Sequence, residues 1–230
     1  MKRLLPGALV ALALQPGAAW AQETQDAAGC GSLENRAYGP YDYRQARPNQ
    51  RELVEHAHFT PKVEALRSGQ TGAPGWDIGY TLRAFPNHPR ALLAMQGLVV
   101  QENKNPARDA IYTIECYYER ALRFQRDDHV VRMLYANFLI GKNQFEDATK
   151  QLDYIIEIQA DEPFTQFNVG MLFFDMKNYD RALEQAHKAI ALGFMRTDLK
   201  QRLSAVGRWV EPKPEAADAP ASAASAASAP

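Results

Sequence analysis

The segment HVVRMLYANFLIGKNQFEDATKQLDYIIEIQADE (129–162) is followed at once by PFTQFNVGMLFFDMKNYDRALEQAHKAIALGFMR (163–196), and the two align without a gap at an offset of 34 residues. Ala136 pairs with Gly170, Leu139 with Phe173, Phe145 with Tyr179, Ala148 with Ala182, Ile155 with Ala189 and Ile158 with Leu192. Each match has a packing reason. A small residue in a first helix, with Ala148 or Ala182 in a second, lets two backbones approach closely, and the aromatic that opens the second helix plugs the gap at the turn. Turn signals bound every unit: Gly141-Lys142-Asn143, Asp161-Glu162-Pro163, Lys177-Asn178 and Gly193. They predict helices over 145–158 and 179–192, each preceded by another of similar length, and a last helix from Thr197-Asp198 to about Trp209. Self-similarity at this period is the signature of stacked helix pairs.

Here the chain resembles the tetratricopeptide repeat family, whose unit is a helix-turn-helix of this length with this small/aromatic/Ala pattern. The resemblance implies an all-α fold, a short right-handed solenoid in which residues 198–210 form the polar-faced cap helix such stacks need. Upstream, Phe85-Pro86-Asn87-His88-Pro89-Arg90-Ala91-Leu92 looks like the family's linker into a fresh repeat. The first repeat would then span 89–128, six residues longer than the next. Asn105 as N-cap and Pro106 at the first helical position open a helix to about Phe124, with the extra length in the 102–108 turn and a longer second helix.

Residues 22–88 read as an irregular helical segment. Helices are expected over Arg51–His58 and from Thr60-Pro61 to Arg67. A glycine-rich loop follows over Gly69–Gly79, and Asp77–Ala84 reads as the second helix of a degenerate leading repeat. CGSLENRAYGPYDYR and DIGYTLRAFPNHPRAL look similar to the N-terminal part of exported bacterial tetratricopeptide proteins, which implies a family and no activity.

The N-terminus sets the expected compartment. Lys2-Arg3, an apolar run over Leu4–Leu14 and Ala19-Trp20-Ala21 make a signal peptide cleaved after Ala21. The apolar run is too short to span a bilayer, so no transmembrane segment is expected. Ala27-Ala28-Gly29-Cys30 invites a lipoprotein reading, which Ala27 and the polar stretch before it disfavour. A periplasmic protein is expected, with extracellular release the alternative. Residues 211–230 hold no aromatic or large aliphatic side chain beyond alanine and are expected to be disordered. In an oxidising compartment the two cysteines, Cys30 and Cys116, favour a bridge over a buried Cys116 and a free Cys30.

Composition narrows function by exclusion. Cleavage removes two cations and no acid, moving the net charge from −1 to −3; a nucleic-acid surface would need clustered cations. There is no CxxC, no GxSxG and no phosphate loop, and the glycines at 69, 72, 75 and 79 lack a strand-to-helix context. His56 and His58, at i and i+2, point apart on a helix, and His88 is distant in sequence. No pairing of Glu64, Asp77, Glu102 or Glu115 can be read from spacing. No catalysis, cofactor or metal is therefore expected.

In such stacks the first helix of each pair lines a concave groove. Its outward positions are Met133, Asn137 and Ile140, then Phe164, Phe167, Met171 and Phe174. This stripe suits an apolar peptide or an amphipathic helix of a protein partner. Two other occupants stay open: residues 30–85 with Tyr38, Tyr41 and Tyr43, or a second copy of the chain. Asn137, Asn168 and Arg202 fall at the spacing of the family's carboxylate clamp, but Met133 and Asp198 stand where lysines are needed, so no clamp is expected. The expected function is a non-catalytic protein-interaction module of the cell envelope. The alternative is a small-molecule- or metal-binding protein or enzyme with a site between the N-terminal segment and the first repeat.

Overall fold

A computed structural model describes residues 29–34, 38–70 and 72–212. The expected signal peptide and, within the expected tail, residues 213–230 lie outside them. All regular structure among the described residues is helical, and no helix there is long and apolar enough to cross a membrane. The chain forms two compact units that divide between Val131 and Arg132.

The first unit carries α1 (Pro48–His58), α2 (Pro61–Glu64), α3 (Pro74–Ala84), α4 (Pro89–Glu102) and α5 (Ile114–Phe124). The first four start on proline, whose fixed φ suits the first turn and whose missing N–H costs nothing there. Val54, Phe59, Val63, Ile78, Leu82, Phe85, Leu92, Met95, Leu98, Ile114, Tyr117 and Tyr118 are buried between them. Helix α3 is close-packed: a Cβ at Gly75 would lie 2.1 Å from the Arg108 carbonyl oxygen. Gly75 therefore has a packing reason. Tyr41 and Tyr43 pack on Phe85 at ring separations of 6.1 and 5.8 Å, and Tyr38 packs on Tyr41.

The helix expected from Asn105-Pro106 is corrected by the structure. α5 begins at Ile114, where the Thr113 hydroxyl accepts the Cys116 N–H and buried Ile114 anchors the start. Asn105 serves the same helix from a distance, accepting the Ile114 N–H at 3.0 Å and donating to Glu115. The longer second helix is also corrected, since α5 has 11 residues against 14 in α7 (Phe145–Ile158). The extra length lies in the connection 103–113.

The second unit continues α6 (His129–Gly141) into α7, α8 (Pro163–Asp175), α9 (Tyr179–Ala191) and α10 (Asp198–Ala205). Its core joins Ala136, Leu152, Ile155, Phe167, Val169, Phe173, Ala182, Ala186, Ala189, Leu199 and Leu203. α10 ends at Ala205, short of the expected Trp209, which packs on His187 beyond it. Phe145 is 42% exposed and does not plug its turn as its counterpart position suggested.

The backbone repeats along with the sequence. Asn143 and Lys177, 34 residues apart, both adopt positive φ, 59° and 61°. Around them the bonds Asn143 N–H to Ile140 O and Gln144 N–H to Leu139 O recur as Lys177 to Phe174 and Asn178 to Phe173. At the end of α4, Asn103 has φ 48°, and the equivalent bonds run from Asn103 N–H to Val100 O and from Lys104 N–H to Val99 O. The helix ends before α4, α6 and α8 also match: the N–H groups of Phe85, Gln125 and Gln159 bond the carbonyls of Thr81, Ala121 and Ile155. The chain thus has helical-repeat character in its hydrogen bonding, and α3 ends as α5 and α7 do.

Candidate functional site

The apolar stripe of the second unit is built by the 3.6-residue period of α6 and α8. Phe164 is 57% exposed and meets Phe194 edge-on at 5.9 Å. Met171 is half-buried, as is Phe174, which lies 5.3 Å from Tyr179 with the Arg202 guanidinium 5.7 Å from its ring. On α6, Met133 and Ile140 are half-buried and Asn137 is exposed. Phe167 departs from this pattern and is a core residue, 5% exposed. The ring of Phe194 covers it at 4.9 Å and the Arg196 guanidinium sits at 5.5 Å, because residues 193–196 turn back over α8. The charges along this edge are paired, Arg202 with Asp175 at 3.2 Å and Arg196 with Asp198 at 2.9 Å. Asn168 is half-buried, and Arg202 is engaged by that carboxylate.

In the first unit the structure brings together polar groups that spacing kept apart. His88 caps α4, its Nδ1 accepting the Ala91 N–H, so its proton sits on Nε2, 3.2 Å from Glu55 Oε1. The Tyr43 hydroxyl donates to the same carboxylate oxygen at 2.8 Å, and its ring stacks on the imidazole at 4.1 Å. The His88 bond and then the Tyr43 bond hold Glu55 down to about 2, against the desolvation of its partial burial. Burial pushes His88 below its ordinary value, so the pair is a neutral imidazole donating to a carboxylate. Both histidine nitrogens are engaged and the ring is fully buried, so the cluster fixes the α1–α4 packing and offers no proton to a substrate.

His58 lies apart from His56, as its i+2 spacing implied. Its Nδ1 bonds Asp77 Oδ1 at 2.9 Å, while Asp77 Oδ2 accepts the Gln70 N–H at 2.7 Å. Glu64 is bound by Arg90 through Nε at 2.7 Å, Glu102 accepts the Arg108 N–H, and Glu115 accepts from Asn105. Of these, His88 alone had a local signal, its place before Pro89; the other partnerships join residues 6 to 33 positions apart.

Cys30 and Cys116 form the disulfide, closing 86 residues. Arg120 Nη1 lies 2.8, 3.1 and 2.8 Å from the carbonyl oxygens of Cys30, Gly31 and Ser32, and Arg123 Nη2 donates to Gly31 at 2.8 Å. Glu119 Oε2 comes within 3.3 Å of Cys30 Sγ, and burial raises its carboxyl above the ordinary range. These three residues are the one group of three potential metal donors among the described residues, and its sulfurs are bonded to each other.

No protein-family model matches the chain, and no curated protein matches it.

Proposed function

We propose that the chain is a non-catalytic protein-interaction module of tetratricopeptide type, acting in the periplasm, that takes an apolar peptide or helix on the α6–α8 face. The observation that carries the reading is the row Phe164, Met171, Phe174 on α8, joined on α6 by Met133, Asn137 and Ile140, with Phe164 more than half exposed. Large apolar side chains in a row on one face are the usual mark of a docking surface, and Met adapts to varied partners. Recurrence of the turns at 34 residues supports the repeat assignment. The disulfide is consistent with export.

The test is site-specific photocrosslinking in intact cells with p-benzoylphenylalanine at position 164, and at Glu184 on the exposed side of α9 as control. One dominant protein adduct is expected from 164 and none from 184, and Met171→Ser with Phe174→Ser should abolish it while helicity by circular dichroism is kept. Equal labelling from both positions, or an adduct that survives the double substitution, would overturn the docking face. An adduct of twice the chain mass would replace the partner by a second copy.

A further inference from the structure

The first unit contains a small aromatic-walled cavity whose volume is about 230 Å³, lined by Tyr38, Leu53, Val54, Ala57, His58 and Tyr80. Its walls are held from behind. Tyr80 stacks on Trp76 at 5.8 Å, carries the Arg83 guanidinium at 5.4 Å, and lies 3.9 Å from the His58 ring. Tyr38 is set edge-on to Tyr41 at 5.1 Å, and Val54 is buried. Aromatic walls of this kind pack favourably on a flat ring. Cavities of about 150 Å³ take benzene, and drug-sized ligands need roughly 300–1,000 Å³, so the space suits one substituted ring.

One polar side chain of the cavity wall, His58, is oriented by Asp77. This carboxylate, 2% exposed, spends one oxygen on the Gln70 N–H and turns the other to His58 Nδ1. A neutral imidazole bound in this way carries its proton on Nδ1 and presents Nε2 as a lone pair. No bond to Nε2 is made by any described residue. An aromatic wall, an apolar floor and one fixed acceptor complement a ring that bears a hydrogen-bond donor.

We propose that this cavity binds a phenol ring, with the phenolic O–H donating to His58 Nε2 and Asp77 acting as the positioning residue that fixes the imidazole. The site is confined to the first unit and is independent of the docking face on α8. A phenol ring can arrive as a small molecule or as the tyrosine of a peptide, so p-cresol and N-acetyl-tyrosinamide are the two probes, with toluene as the ring that lacks a donor.

Titration of the full chain, followed by the His58 ring signals in NMR, should show saturable binding of p-cresol at least tenfold tighter than of toluene. His58→Asn keeps a side-chain N–H for Asp77 and removes the Nε2 acceptor; it should abolish the preference while toluene binding changes by less than twofold. Ala57→Phe, at an exposed helix position, should fill the cavity and remove both ligands with the circular dichroism spectrum unchanged. Binding of N-acetyl-tyrosinamide as tight as p-cresol would assign the site to peptide tyrosine; its exclusion would assign it to small phenols. Equal affinity for p-cresol and toluene in the unaltered protein, a preference that survives His58→Asn, or binding that survives Ala57→Phe would overturn the proposal.

Discussion

The two units solve the same packing problem with different materials. In the second, helices close on small residues: Ala136, Ala148 and Ala182 are fully buried, and a Cβ at Gly170 would lie 2.6 Å from Leu199 Cδ2 and 3.2 Å from Gln185 Cβ. In the first, a covalent bridge ties the segment before α1 to α5, and polar groups add to it. Asn87 donates to Asp42 at 2.7 Å and to Asp128 at 2.8 Å while accepting the Tyr43 N–H, and Arg120 gathers three carbonyls. Among the described residues, Asp77, Thr81, Asn87, His88, Arg120 and Asp128 are the first unit's buried polar residues; the second has Thr165, Gln166 and Gln185. The first unit also closes on small residues, Ala84, Ala91 and Ala121, but adds specific pairs and a bridge to them, so the two should fail under different insults.

The largest separation is expected on loss of the bridge. It closes a loop of 86 residues, for which chain entropy gives about 4.6 kcal/mol. Cys30→Ser with Cys116→Ser should therefore raise amide exchange strongly at Leu82 and Ala121, in the first unit, and leave Leu152 and Ala182 protected. Equal acceleration in both would show that the units unfold as one block and would break the contrast.

Gly170→Val is the converse. The added atoms meet the buried Leu199 Cδ2 at 2.6 Å and Gln185 Cβ at 3.2 Å, so about 1–3 kcal/mol should be lost to overpacking. The loss should appear in exchange at Ala182 and Ala189. The first unit, which has no contact with the change in its own core, should keep its protection.

Acid should act in the opposite sense, on the first unit, and by less. His88 is held below its ordinary 6.5 by burial, so its contribution is present above pH 6.5 and lost as pH falls through the lowered folded value. Glu55, at about 2 against an ordinary 4.5, contributes above pH 4.5 and loses that as pH falls towards 2. Both slopes destabilise in acid. Glu55→Gln should flatten the lower step, measured by denaturant unfolding between pH 7 and 3; an unchanged slope would remove Glu55 from the account.

The same contrast explains what could be read from the chain. The helices α6 to α9 were legible because apolar positions recur locally, and the turn between α6 and α7 carries Asn143, a residue that tolerates left-handed backbone. The bridge followed from a count of two. Phe167 fits the outward period of α8 but is a core residue, because Phe194 covers it, and no helical spacing could supply that cover. The Asn105 cap failed for a related reason. A good local signal was put to another use, bonding Ile114 nine residues on. The clusters around Glu55 and Asp77 join residues from different helices, and long-range polar pairing leaves no period in the sequence.

The smallest effect tests whether shape alone suffices in the second unit. Gln185 is fully buried beside Gly170, and neither atom of its amide has a hydrogen-bond partner among the described residues. A buried amide left unpaired costs about 1–3 kcal/mol, whereas an apolar group of the same shape avoids that cost. Methionine matches the length and the unbranched Cβ that the close approach of α8 requires. Gln185→Met should therefore stabilise the second unit by about 1 kcal/mol, read as a rise in urea midpoint with an unchanged m-value. The matching change in the first unit, Asn87→Leu, should do the reverse, because it strips donors from Asp42 and Asp128 and an acceptor from Tyr43. If Gln185→Met destabilises instead, the amide has a partner in solution, such as a buried water, and the second unit is not held by shape alone.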